Sequence, residues 1–319
     1  MRRLLSSLAL AALSAASANA QASGSEGALF LLLPTGAQAV GIGQASVANR
    51  SGSEGIWWNP ASIGLDGKSE LALQYSQTVA GTGTAIAYVR PAFTRAVVGI
   101  SATLLDLGSQ QITDEFGTPV GAIFPRDVSL GLTFATGIGR RLMTGMTYKV
   151  IQLRVDCSGQ CAAVGSDVQT LNAVDLGTQY AIIIKHLTIG AAIRNLGGRL
   201  NSGQTNRDNP LPTQTDVGAS VRFGIDRYLP QTELMVGGGL VDSRSFGGKA
   251  GRVGAEIVYQ KVVHLRGGYI GHDRQRQASE SLGFGVQSGS LIFDIARIFG
   301  GLPTDKGQQP TYISLRYLF

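Results

Sequence analysis

The chain closes on Thr311-Tyr312-Ile313-Ser314-Leu315-Arg316-Tyr317-Leu318-Phe319, and the alternation in these nine residues decides how the rest is read. Thr311, Ile313, Leu315 and Tyr317 share one parity with Phe319, while Ser314 and Arg316 lie on the other. Successive side chains of a strand point to opposite faces, so this is a strand with one apolar face and one face that holds a charge. Two architectures use such a strand. A soluble sandwich buries the apolar face and wets the polar one, whereas a closed barrel in a bilayer does the reverse.

The same alternation recurs upstream in segments 69–79, 82–91, 96–107, 126–136, 141–153, 170–183, 186–195, 213–224, 231–241, 251–259, 262–271, 279–286 and 290–298, which with 311–319 make about fourteen strands. Most have the roughly 9 to 12 residues that cross a bilayer at a tilt. Val217, Ala219, Val221 and Phe223 fall on one face, with Asp216, Ser220 and Arg222 on the other. Leu291, Phe293 and Ile295 likewise oppose Asp294, and Val253, Ala255 and Ile257 oppose Glu256. The polar face as a whole carries Arg194, Arg222, Glu256, Arg266, Asp294 and Arg316. Mixed signs suit ion pairs between strands better than an open pore of one charge. Segment 96–107 is irregular: Leu105 lands on the polar face and Asp106 on the apolar one.

The connections separate the two architectures. They tend to alternate between long (108–125, 154–169, 196–212, 299–310) and short (137–140, 260–261, 288–289), the habit of membrane barrels with short turns on one side and longer loops on the other. A chain that is 44% hydrophobic, 15% charged and rich in glycine fits this reading. No stretch after residue 20 approaches the length of an apolar membrane helix. The expected fold is therefore all-β: a transmembrane antiparallel β-barrel of about fourteen strands, closing 311–319 against 69–79. Its outer face would contact outer-membrane lipid. Tyr317 and Phe319 resemble the terminal aromatic signal read by the barrel-assembly machinery.

The N-terminus suggests the compartment. Arg2 and Arg3 precede an apolar run, and Ala18-Asn19-Ala20 is an A-x-A cleavage site, so residues 1–20 read as a secretory signal peptide. Residues 68–319 form the barrel, and 21–67 form an N-terminal plug or hatch segment. The location implied is the bacterial outer membrane, with both termini periplasmic and the long loops outside. Cys157 and Cys161 are the two cysteines and form a candidate disulfide in an oxidising compartment. The net charge of +6 is scattered and loses Arg2 and Arg3 with the leader, so nucleic-acid binding is not indicated.

Residues 21–67 carry two motifs. Gly36, Ala37, Ala39, Gly41 and Gly43 punctuate LPTGAQAVGIGQASVA at 33–48, and Trp58, Asn59 and Pro60 lie in WWNPASIG at 57–64. Gly41-x-Gly43 follows no βαβ strand and lacks a third glycine, so it reads as tight packing rather than a nucleotide loop. Trp57-Trp58 running into Asn59-Pro60 reads as an aromatic anchor entering a turn.

These two motifs, close behind a leader and ahead of about fourteen strands, resemble the PorV/PorQ group of outer-membrane proteins, relatives of the FadL long-chain fatty-acid transporters. The resemblance is specific over residues 33 to 64 and elsewhere is one of architecture. It implies a fourteen-stranded barrel with a hatch inside. Members of the group usually carry acidic residues between the motifs, and here there is only Glu54.

Two functions follow from the resemblance. The first is an interaction protein of type IX secretion, receiving secreted cargo proteins at the cell surface and passing them to a surface attachment enzyme. The alternative is FadL-like transport of hydrophobic small molecules. That alternative needs an apolar pocket near the external end, against which the polar loops argue, with Phe116, Phe124 and Phe246 as candidate linings. An enzyme is not expected. The three histidines, His186, His264 and His272, read as solvated loop or strand-end residues, with His272 near Ser279 and Ser281. No catalytic residue, cofactor or metal ligand is assigned.

Overall fold

A computed structural model describes residues 27–64, 68–160, 167–201, 208–243, 248–272, 278–300 and 309–319. The expected leader, Cys161 and Phe246 lie outside the described residues. The strands are β1 (Glu70–Thr78), β2 (Gly81–Phe93), β3 (Ala96–Asp106), β4 (Gln110–Thr113), β5 (Pro119–Ile138), β6 (Leu142–Gly159), β7 (Asp167–Ile183), β8 (Leu187–Gly197), β9 (Arg199–Asn201), β10 (Asp208–Pro210), β11 (Gln214–Gly224), β12 (Thr232–Ser243), β13 (Gly248–Tyr259), β14 (Val263–His272), β15 (Ser279–Ser288), β16 (Leu291–Gly300) and β17 (Thr311–Leu318).

Without β4, β9 and β10, fourteen antiparallel strands form a closed barrel. Closure comes from β17 on β1, with Glu70 opposite Leu318 and Gln77 opposite Thr311, and from β3 on β5. It leaves no barrel strand without a neighbour on each side, so backbone polar groups are satisfied within the wall.

The expected faces are observed. Along β17, Tyr312, Ser314 and Arg316 are buried while Leu315 and Tyr317 are exposed. Ile100, Leu132, Leu240 and Leu282, each more than half exposed, belong to a continuous apolar outer surface. Such a surface would be an aggregation liability in water and matches hydrocarbon instead. Phe319 stacks on Tyr317 and on Tyr88, with ring centroids 5.6 and 6.0 Å apart. This outward aromatic cluster sits at the end of the barrel that carries the short turns.

The other end departs from expectation. Strands β5, β6 and β7 have 20, 18 and 17 residues, well beyond what a bilayer needs. The expected connection at 108–125 therefore contains β4 and the first turn-out of β5, and that at 196–212 contains the β9–β10 hairpin. Pro125 is why sequence reading stopped β5 short, since proline cannot donate to a ladder. The missing N–H falls at the break between β3 and β4, where Leu107 N donates to Pro125 O at 3.2 Å. Cys157 is disulfide-bonded in the tall β6 wall.

Candidate functional site: a plugged lumen beneath an apolar pocket

Residues 27–64 run through the barrel interior. At the long-loop end, Gly27 N donates to Pro210 O at 3.1 Å. Phe30 then buries itself among Leu105, Ile151, Leu171, Leu200 and Leu211. This explains the misplaced Leu105: its inward face is covered by Phe30, not by water. The short helix Ala37–Gly41 packs Ala37 and Val40 on Ala296 and the inward Tyr312. At the short-turn end the chain re-enters the wall, with Ser69 and Phe319 exchanging backbone hydrogen bonds.

The motif residues make the contacts that hold this path. Gly36 (φ +96°) has no room for a side chain, because a Cβ there would strike the Glu54 carboxylate. Gly43 (φ +61°) lies flat on the wall, its would-be Cβ 2.7 Å from Tyr269 N and 2.9 Å from Val253 O. Gly41 lies against Arg266, and Gly43 N donates to Ser281 Oγ at 3.1 Å. Asn59 is fully buried. Its Nδ2 donates to Val47 O at 2.6 Å and to Thr178 O at 3.1 Å, tying the two motifs to each other and to β7. Its Oδ1 accepts from Ala61 N at 3.1 Å as Pro60 opens the turn Pro60–Gly64.

The isolated Glu54 is also fully buried. It accepts from Ala39 N and Gln74 Nε2, each at 3.2 Å, and from Ser314 Oγ at 3.3 Å. Ser314 Oγ also meets Gln74 Oε1, so its single hydroxyl hydrogen is shared between the two acceptors. Burial holds the Glu54 carboxyl above its ordinary pKa, against the opposing pull of Arg316.

The six interior charges read from sequence are joined by partners that sequence alone did not rank. Glu256, Arg266, Asp294, Arg316 and Glu70 form one ladder across β13, β14, β16, β17 and β1. Its successive separations are 2.8, 2.6, 2.9 and 3.7 Å. Ser53 Oγ donates to Glu70 at 2.6 Å, anchoring the N-terminal segment to the ladder. A second cluster centres on Asp216, which pairs with Arg194 at 2.9 Å and Arg252 at 3.0 Å. Both guanidinium groups lie near the ring of Trp58, 5.2 and 5.7 Å from its centroid. Lys149 pairs with Asp175 at 2.6 Å, and Arg222 with Glu233 at 3.3 Å. Interior charges matched in this way line a filled lumen, not a water-filled pore of one sign.

Above the plug lies an apolar pocket of about 480 Å³ at the long-loop end, between Phe30, Leu33, Leu105, Leu107, Leu153 and Ala80. Its size suits a small ligand. Below Phe30 and Leu33 the next void shrinks to about 40 Å³ and meets Trp57, Trp58, Lys149 and Arg194. The pocket is thus a closed-bottomed cup. The loop phenylalanines do not build it: Phe116 is almost fully exposed at the tip of the β4–β5 turn, and Phe124 is not among its lining. The expectation failed because the apolar lining comes from strand ends and the N-terminal segment. The legible signal was the set of inward leucines and isoleucines (Leu105, Ile151, Leu153, Leu171) at one end of neighbouring strands.

The histidines sit in structural contacts. His264 Nδ1 is 3.1 Å from Glu256 Oε1, and His186 Nδ1 is 3.0 Å from Arg222 O. Ser281 is engaged by Gly41 and Gly43 of the N-terminal segment.

No protein-family model matches the chain, and no curated protein matches its sequence. Solved structures do match. The CymD monoaromatic hydrocarbon channel aligns with a TM-score of 0.64 at 14% identity, over 90% of this chain and 98% of that one. The Ralstonia pickettii toluene transporter TbuX aligns at 0.57 and 14%, over 89% and 98%. A Pseudomonas aeruginosa FadL homologue aligns at 0.55 and 11%, over 89% and 98%. At these identities the likeness is one of fold: a closed fourteen-stranded antiparallel barrel with a short helical segment ahead of its first strand.

Proposed function

We propose that this chain is an integral outer-membrane channel for hydrophobic small molecules, with the long loops outside and both termini periplasmic. The observation that carries the reading is the apolar cup of about 480 Å³ at the long-loop end, floored by a segment that fills the lumen. An apolar solute gains about 25 cal/mol for each Å² it removes from water, so such a cup concentrates it from dilute solution. Residues 27–64 act in this reading as a hatch that must shift before the solute leaves the cup. Similar structures described as channels and transporters of aromatic hydrocarbons support it. The cargo-receiving role that the PorV/PorQ resemblance implied first finds no support in the fold or among the similar structures.

The test is uptake of a labelled alkylbenzene by cells with and without the protein. Leu153 lines the cup, and Leu153→Trp should narrow it and lower uptake while the barrel still assembles. Equal uptake by cells with and without the protein would sink the proposal.

A further inference from the structure

Among the described residues, one charged group lines the apolar cup: Asp127 on β5. It stands in register between Leu105 of β3 and Leu153 of β6, so its carboxylate rises between two leucines. Among the described residues it makes no side-chain hydrogen bond and no ion pair. Its neighbours in sequence and space do not neutralise it. Arg126, on the opposite face of the strand, pairs with Asp106 at 3.3 Å, and Arg154 pairs with Asp156 at 2.8 Å.

Other inward carboxylates are treated differently. Glu70, Asp175, Asp216, Glu233, Glu256 and Asp294 each meet a cation, and Glu54 is held by three hydrogen-bond donors. A carboxylate left among leucines without a partner is energetically unfavourable, and a ligand that brings the partner removes that penalty.

Resting on the channel reading above, we propose that the cup takes an apolar molecule ending in a hydrogen-bond donor, an amine or an alcohol, with the donor on Asp127. The leucines and Phe30 hold the hydrocarbon body. The same carboxylate repels amphiphiles that end in a carboxylate, because it would place two like charges in an apolar site.

The experiment uses the full-length protein in lipid nanodiscs and displacement of a fluorescent apolar dye. The competitors are octylamine, octanol, octanoate and octylbenzene, with empty nanodiscs as the partition control. Octylamine and octanol should displace the dye at about tenfold lower concentration than octanoate, the worth of one charge-assisted hydrogen bond. Asp127→Leu should abolish that order while leaving octylbenzene displacement intact, and Asp127→Asn should keep octanol but weaken octylamine. An order unchanged by Asp127→Leu, with octylbenzene still displacing the dye, would overturn the role of Asp127 and leave the channel reading standing. Failure of octylbenzene itself to displace dye from any variant would overturn both.

Discussion

At the scale of single residues, Asn59 does most to connect the motifs. A buried amide that donates to Val47 O and Thr178 O and accepts from Ala61 N cannot be replaced by an apolar group without stranding those partners. Asn59→Ala should destabilise the docked segment by about 1 to 3 kcal/mol. The check is limited proteolysis: cleavage within residues 27–64 should become faster while the barrel keeps its resistance. The asparagine was visible in the sequence as part of a motif, but its partners were not, since Val47 lies one motif away and Thr178 more than a hundred residues on. Gly36 and Glu54 show the same division. The glycine was legible, and the reason for it, a carboxylate pressed against its α-carbon, was not.

At the scale of elements, the N-terminal segment and the wall hold each other through Glu54. Its carboxyl keeps its proton to a higher pH in the folded chain than the ordinary value of 4.5, because burial penalises the charged form. The folded state therefore binds more protons than the unfolded one above that ordinary value. Its stability is fully present below 4.5 and declines as pH rises through the raised pKa. Docking of residues 27–64 should be tighter at acidic pH, read as slower hydrogen exchange of Ala39 N–H. Glu54→Gln, which mimics the protonated group, should flatten that dependence and protect the segment at neutral pH. A steeper dependence in the variant would refute this role for Glu54.

The strands themselves were legible almost end to end, because alternation is local and each strand shows one apolar face outward and one face to the interior. Their boundaries erred where that local rule was interrupted. Pro125 broke the pattern of β5, and the extra height of β5, β6 and β7 lies beyond the stretch in which buried and exposed residues alternate.

At the scale of the whole molecule, the proposed channel carries an orientation, with the long loops outside. Glu115 lies at the exposed tip of the β4–β5 turn, and Arg140 lies in the short β5–β6 turn. A cysteine replacing Glu115 should react with a membrane-impermeant maleimide on intact cells, and one replacing Arg140 only after the outer membrane is opened. Cys157 is disulfide-bonded and adds no background. The reverse pattern would place the cup on the periplasmic side and remove the basis for capture from outside.

The amino-acid sequence by itself determined the barrel, its strand number, the face each residue takes and the presence of a separate segment before the wall. These follow from a period of two and from loop punctuation, which are properties of neighbouring residues. Only the tertiary structure decided what that segment does to the lumen, which charges neutralise which, and where an apolar ligand would sit. The cup takes Phe30 and Leu33 from one end of the chain, Leu105, Leu107 and Asp127 from the wall that follows, and Leu153 from a later strand. No local pattern brings those residues together. The closed sheet does, by fixing which strand ends share one rim, and the N-terminal segment completes the cup by crossing beneath it.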